Sequence, residues 1–164
     1  MPKVSVKMSS VYRVECWRAG AFIWVEEVPN LVVNAGLDDL LDKYFKGSTY
    51  SAAHYVGLKG TGIVAAGDTM ASHAGWAELT AYDEAARPAY TPGSVSGQSV
   101  SNTASAAEFT INATVTVYGA FLTTNDTKGG TTGTLYGAVD FAVPRSVIDD
   151  DVLRVTITAT TAAA

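Results

Sequence analysis

The stretch Glu108 to Thr124, EFTINATVTVYGAFLTT, alternates apolar and polar residues. A two-residue period belongs to a β-strand, because successive side chains point to opposite faces of a sheet. Phe109, Ile111, Ala113, Val115, Val117, Gly119 and Phe121 share one face, while mostly Thr and Asn occupy the other. The segment reads as one long strand with a core face and a wet or shared face. The same alternation recurs in VLRVTITAT at 152–160, with Leu153, Val155, Ile157 and Ala159 inward and Arg154, Thr156 and Thr158 outward. The Tyr-Gly-Ala element at Tyr118 recurs at Tyr136 within TLYGAVDFAV, and the loop NDTKGGTTG between them predicts a long hairpin.

Two alternating runs also flank Ala19 and Gly20, and a two-residue linker containing Gly predicts a hairpin over 11–28. Pro29 then interrupts pairing. In LDDLLDKYFKG, Leu37, Leu40, Leu41, Tyr44 and Phe45 fall at i, i+3, i+4, i+7 and i+8, which predicts a short amphipathic helix over about 37–46. Asn34 is the expected N-cap, Asp38 and Asp39 suit the first turn, and Lys43, Lys46 and Gly47 suit the last. The apolar stripe is expected to pack on the sheet. HYVGLKG at 54–60 and WAELTAY at 76–82 read as further strands, and DEAAR before Pro88 has room for one helical turn. The Gly- and Ser-rich stretch 91–107 is of low complexity but dotted with Val.

These elements amount to roughly eight strands and one helix with no βαβ rhythm, so the expected class is mainly β, an antiparallel sandwich or jelly-roll. A chain of 164 residues suits one domain, 1–164, with 1–10 expected as an extended docking arm. Charged residues make up only 16% of the chain, the net charge is −5, and the eleven Lys and Arg are scattered. No footprint for direct nucleic-acid binding follows from that distribution. The N-terminal stretch lacks the apolar core of a secretory signal, and AFIWV at 21–25 is too short to cross a membrane. Cys16 is the single cysteine, so no internal disulfide is expected and folding suits a reducing cytosol.

The segment Asp68–Tyr90 concentrates the residues that chemistry would use. A catalytic reading takes His73 as base, Ser72 as nucleophile and Asp68, Glu78, Asp83 or Glu84 as the orienting acid. Without a GxSxG elbow or an activating environment for Cys16, the expectation is that the chain is not an enzyme and has no catalytic residues. His54 and His73 lie nineteen residues apart, which matches no compact ligand spacing, and Asp149, Asp150 and Asp151 read as a solvated turn. No metal and no cofactor are expected. GTGIVAAGD at 60–68 and KGGTTG at 128–133 read as turns, since neither matches a phosphate-binding loop. Trp76, Tyr82 and Tyr90 could stack on a sugar, but the reading favours anchors that pin an irregular loop together with Met70, with Asp68 and Arg87 supplying turn or ion-pair contacts.

NLVVNAGLDDLL, YVGLKG, DTMASHAGWAELTAYDEAARPAY, FTINATVTVYGAFLTTNDTKGGTTGTLYGAVDFA and RSVIDDDVLRVTITAT together resemble a small structural protein of tailed bacteriophages, over about residues 30–160. The resemblance implies a virion component made in the host cytoplasm. It implies a capsid decoration or cement protein whose partners are the major capsid protein or other virion proteins, and which forms a homo-oligomer. A neck or tail component, such as a fibre-attachment or adaptor protein, and a carbohydrate-binding receptor module are the alternatives.

Overall fold

The computed structural model describes residues 5–50 and 53–163. The first hairpin forms where expected: β1 (Val6–Arg18) and β2 (Ala21–Pro29) flank Ala19 and Gly20. Both turn residues have positive φ, 48° and 78°, as a type I′ turn requires. The chain continues through β3 (Leu31–Val32), a helix α1 (Asn34–Leu40) with a π-helical turn at Leu41–Phe45, β4 (His54–Gly62), β5 (Trp76–Leu79) and β6 (Ala89–Tyr90). It ends with β7 (Ser99–Ser101), β8 (Ala107–Thr110), β9 (Val115–Thr123), β10 (Leu135–Val147) and β11 (Val152–Ala163).

Two antiparallel sheets pack together, so the fold is a mainly β sandwich with one short helix. One sheet has the order β2-β1-β11-β7, with β8 also paired to β11. The other has the order β3-β10-β9-β4-β5, with β6 also paired to β4. Each sheet therefore ends in two short strands laid end to end along one long neighbour: β8 and β7 on β11, β5 and β6 on β4. The main core lies between the sheets and contains Tyr12, Val14, Val56, Leu58, Phe109, Val117, Leu153, Val155 and Ile157. A second cluster, Val33, Met70, Trp76, Phe121, Leu135 and Ala138, covers the back of the second sheet beneath the loop after β4.

The long strand expected over Glu108–Thr124 is two strands in different sheets. β8 pairs with β11 and β9 pairs with β4 and β10. Between them Ile111 exchanges backbone hydrogen bonds with Asp150 and Asp151 and bridges to Tyr82. Val117 enters the main core with Ala120 and Leu122, while Phe121 points to the second cluster. A period of two cannot report a crossing between sheets, because both pieces keep an apolar face.

The helix forms three residues earlier than expected and its apolar stripe does not enter the core. Its cap position is Val33, not Asn34. Leu37, Leu40, Leu41, Tyr44 and Phe45 are all exposed, and the only fully buried residue of α1 is Gly36. A Cβ at Gly36 would stand 2.2 Å from the Tyr136 carbonyl oxygen. The helix thus docks on β10 through its narrowest residue and turns the large side chains outward. Nor is the first part of the chain a free arm. Val6–Ser10 pair with Ala159–Ala163 as part of β1, and residues 1–4 lie outside the described residues.

Candidate functional site

The loop Asp68–Tyr90 is built from anchors. Trp76 and Met70 are buried in the second cluster and Tyr82 in the main core, so neither aromatic ring is laid open as a stacking platform. The Trp76 indole N–H donates to Asp68 Oδ2 at 2.9 Å, and the same oxygen accepts the Ala65 amide at 2.8 Å. Lys59 is wholly buried, forms an ion pair with Asp140 at 2.6 Å and donates to the Gly62 carbonyl. Arg87 is also wholly buried. Its guanidinium grips Glu78 through both oxygens, at 2.9 and 2.7 Å, and donates to the Asn125 and Gly130 carbonyls, tying β5 to the loop before β10.

Against that background the residues of the catalytic reading have separate duties. His73 stacks on Trp76 with ring centroids 4.1 Å apart and uses Nδ1 on the Trp76 carbonyl. Glu78 is held by Arg87, and Glu84 accepts the Thr110 amide. The backbone N–H of Ser72 faces Thr69 in a tight turn. His54 opens β4, whereas His73 stands beside Trp76, whose register partner is Gly62 at the other end of that strand. Among the described residues no group of three His, Cys, Asp or Glu is placed to hold a metal ion.

Asp151 departs from the solvated turn read from the sequence. Its side chain is buried, takes both ends of the Arg18 guanidinium at 2.7 and 2.8 Å, and accepts the Ile148 amide at 2.9 Å. Asp149 and Asp150 stay exposed, and Asp150 has φ 65°. Arg18 holds the Asp151 carboxyl below the usual carboxylate range, with the Ile148 amide adding to the effect. The stabilisation is present above the unfolded value, roughly pH 4, and is lost as pH falls through the lower folded value. Asp151→Asn should therefore lower stability at neutral pH and flatten the acid limb of the stability profile. Unfolding midpoints between neutral and acid pH check this, and wild type and variant converging only at neutral pH would contradict it.

Cys16 is buried beside this pair, and burial with the nearby Asp151 charge pushes its thiol up to about 11. The thiol stays protonated at neutral pH, so it should react with a disulfide reagent only as fast as the chain opens. Stopped-flow labelling checks this: a rate that rises with denaturant is expected, and full labelling within mixing time of the native protein is not.

Two grooves and a helix face are among the open surfaces. The outer face of the first sheet carries a shallow polar groove of about 710 Å³, where Arg13 pairs with Glu15 and Arg154 with Glu108. At one end of the sandwich an apolar groove of about 420 Å³ opens between the sheets, floored by Leu122 and Ile157 and walled by Met8, Leu40, Tyr90 and Tyr136. Burial raises the phenol of Tyr136 to about 12, with a contribution from Asp39 at the rim. Beside this groove lies the exposed stripe of the helix. The sequence marked that stripe by its period but could not say which way it faces.

Taken together the chain is a two-sheet antiparallel sandwich whose buried Lys59, Arg87 and Asp151 are held in internal ion pairs and whose open surfaces include a strand edge, two grooves and one apolar helix face. Comparison with family models, curated proteins and solved structures found no match for the chain. No helix among the described residues is long and apolar enough to cross a membrane.

Proposed function

We propose that this protein is a structural component of a tailed-bacteriophage virion, a capsid decoration or cement protein that binds the assembled head and stabilises it. The observation that carries the reading is the open edge of β1. β2 pairs with β1 only from Val11 onward, so among the described residues Val6–Ser9 has β11 on one side and no strand on the other. The Ser10 carbonyl accepts the Asn30 amide on that side, and backbone groups alternate along a strand. Met8 and Val6 therefore present their N–H and C=O groups to the open edge. An unpaired edge is a template for a strand from another chain, and such contacts repeated over a symmetric shell add avidity. Binding only the assembled shell shifts the equilibrium away from disassembly. The sequence resemblance to small virion proteins supports the same reading.

The test is the composition of purified particles from the genome that encodes the chain. The protein should be present at a copy number comparable to the shell subunit, and Val6→Pro or Met8→Pro, which remove an outward N–H without touching the β11 ladder, should abolish attachment. Particles assembled with either variant in place of the wild type should lack the protein and break at lower temperature. A protein confined to a single vertex would instead select the neck or tail reading, and absence from particles would sink the virion reading. Of the three rings a sugar-stacking receptor module would use, Trp76 and Tyr82 are buried and only Tyr90 is half-exposed, so that reading has the weaker support.

A further inference from the structure

The helix stripe is a second exposed surface, independent of the strand edge. Leu37, Leu41 and Phe45 are 40%, 56% and 75% exposed at spacings of four residues, and Tyr44 beside them is 79% exposed. Scattered apolar side chains on a surface are ordinary, but a contiguous stripe marks a contact. The charges around it are ordered. Asp38 and Asp39 lie toward the start of the helix, Lys43 and Lys46 toward its end, and Asp42 between them. Within the chain Asp42 serves both lysines, Lys43 at 3.4 Å and Lys46 at 3.0 Å. No described cation forms an ion pair with Asp38 or Asp39. One half of the helix thus has spare acid and the other spare base.

A second copy laid antiparallel across the stripe corrects that imbalance. With a two-fold axis near Leu41, Leu37 of one copy meets Phe45 of the other and Asp38 meets Lys46, while Asp39 and Lys43 face the groove of their own chain. Antiparallel packing brings each flank of a helix against the same flank of its copy, so the Asp38–Lys46 pair forms at both ends of the contact. Compensation of the helix dipole explains the order of the charges but leaves the apolar stripe in water. Pairing of copies accounts for both. We propose that Asn34–Phe45 is a self-association surface through which two copies of this chain pair antiparallel. The inference rests on the helix and holds whichever particle or partner the sandwich serves.

The experiment uses the full chain in sedimentation equilibrium over rising concentration. Wild type should pass from 17.1 kDa to twice that mass. Leu41→Asp should weaken association by at least about tenfold, the equivalent of 1.4 kcal/mol. Asp38→Lys should weaken self-association, as should Lys46→Glu, and an equimolar mixture of these two variants should recover it. All three positions are exposed on the helix, and circular dichroism with thermal unfolding at low concentration confirms that each variant is folded. A wild type that stays at 17.1 kDa throughout overturns the proposal, including the case in which the stripe serves a different protein. Dimers that form equally well in Leu41→Asp overturn it too. Failure of the mixed variants to recover association overturns the antiparallel arrangement.

Discussion

Arg87→Met should lower the stability of the protein by about 3–5 kcal/mol, because it strands a buried carboxylate rather than merely deleting a contact. The Arg87 side chain is wholly buried and that of Glu78 is 8% exposed. Methionine fills most of the volume but supplies no donor, so the carbonyls of Asn125 and Gly130 lose the Arg87 donor and Glu78 keeps only the Gly129 amide. At about 2–4 °C per kcal/mol for a chain of this size, the melting temperature should fall by about 10 °C or more. The companion Arg87→Met, Glu78→Leu removes both charges and should recover part of the loss. Urea unfolding measures each difference. A loss below about 1 kcal/mol for the single variant would mean that water reaches the pair when the loop breathes.

Phe121→Ala should cost about as much, roughly 3–5 kcal/mol, through the cavity it leaves. The ring lies over Gly57, where an added Cβ would come within 2.1 Å of it, and it packs 5.3 Å from the Trp76 ring and 5.3 Å from the Arg87 guanidinium. Trp76 fluorescence reports the site directly. Because Phe121 and Arg87 touch, the double variant should lose less than the sum of the two singles, whereas strict additivity would show that the two side chains act separately. An unchanged midpoint for Phe121→Ala would mean that the second cluster collapses around the gap without cost.

What the sequence disclosed follows from which interactions are local. The Ala19–Gly20 turn is legible because two adjacent residues with positive φ define it, and the flanking strands alternate on either side. The anchoring roles of Met70, Trp76 and Tyr82 were legible from their size in an otherwise small and polar loop. The direction of the helix was not, because an apolar stripe has the same period whether it meets a sheet or a second molecule. Gly36, the residue that decides the matter, looks locally like any helix-start glycine. The break of the long strand at 111–114 was hidden for a similar reason: the crossing is fixed by Asp150, Asp151 and Tyr82, which are distant in the chain. Short strands such as β3, β6 and β7 are two or three residues long and owe their geometry to neighbours, so no pattern of their own could announce them.

The same was true of the grooves and of Asp151. An acidic run ordinarily signals water, and Asp151 differs from its two neighbours only in having Arg18 opposite, a partner more than a hundred positions away. The catalytic candidates illustrate the converse. His73, Asp68, Glu78 and Glu84 are close in sequence, yet the fold assigns each to a different structural bond.

The pairing of β1 with β11 sets the order in which a nascent chain can mature. β1 emerges from the ribosome before the other described strands and exposes Tyr12, Val14 and Cys16 on one face, while its register partners Ile157, Val155 and Leu153 belong to the last of them. β7 and β8 also depend on β11 for their ladders. The second sheet holds no strand later than β10, so it can zip first, whereas the first sheet waits with a bare β1–β2 hairpin until β11 arrives. Closure between segments so distant along the chain is slow, and the waiting hairpin offers unpaired edges to other nascent chains on the same polysome. Translation speed and chaperone supply while β11 is being made should therefore govern the yield of folded protein more strongly than the stability of the finished sandwich does.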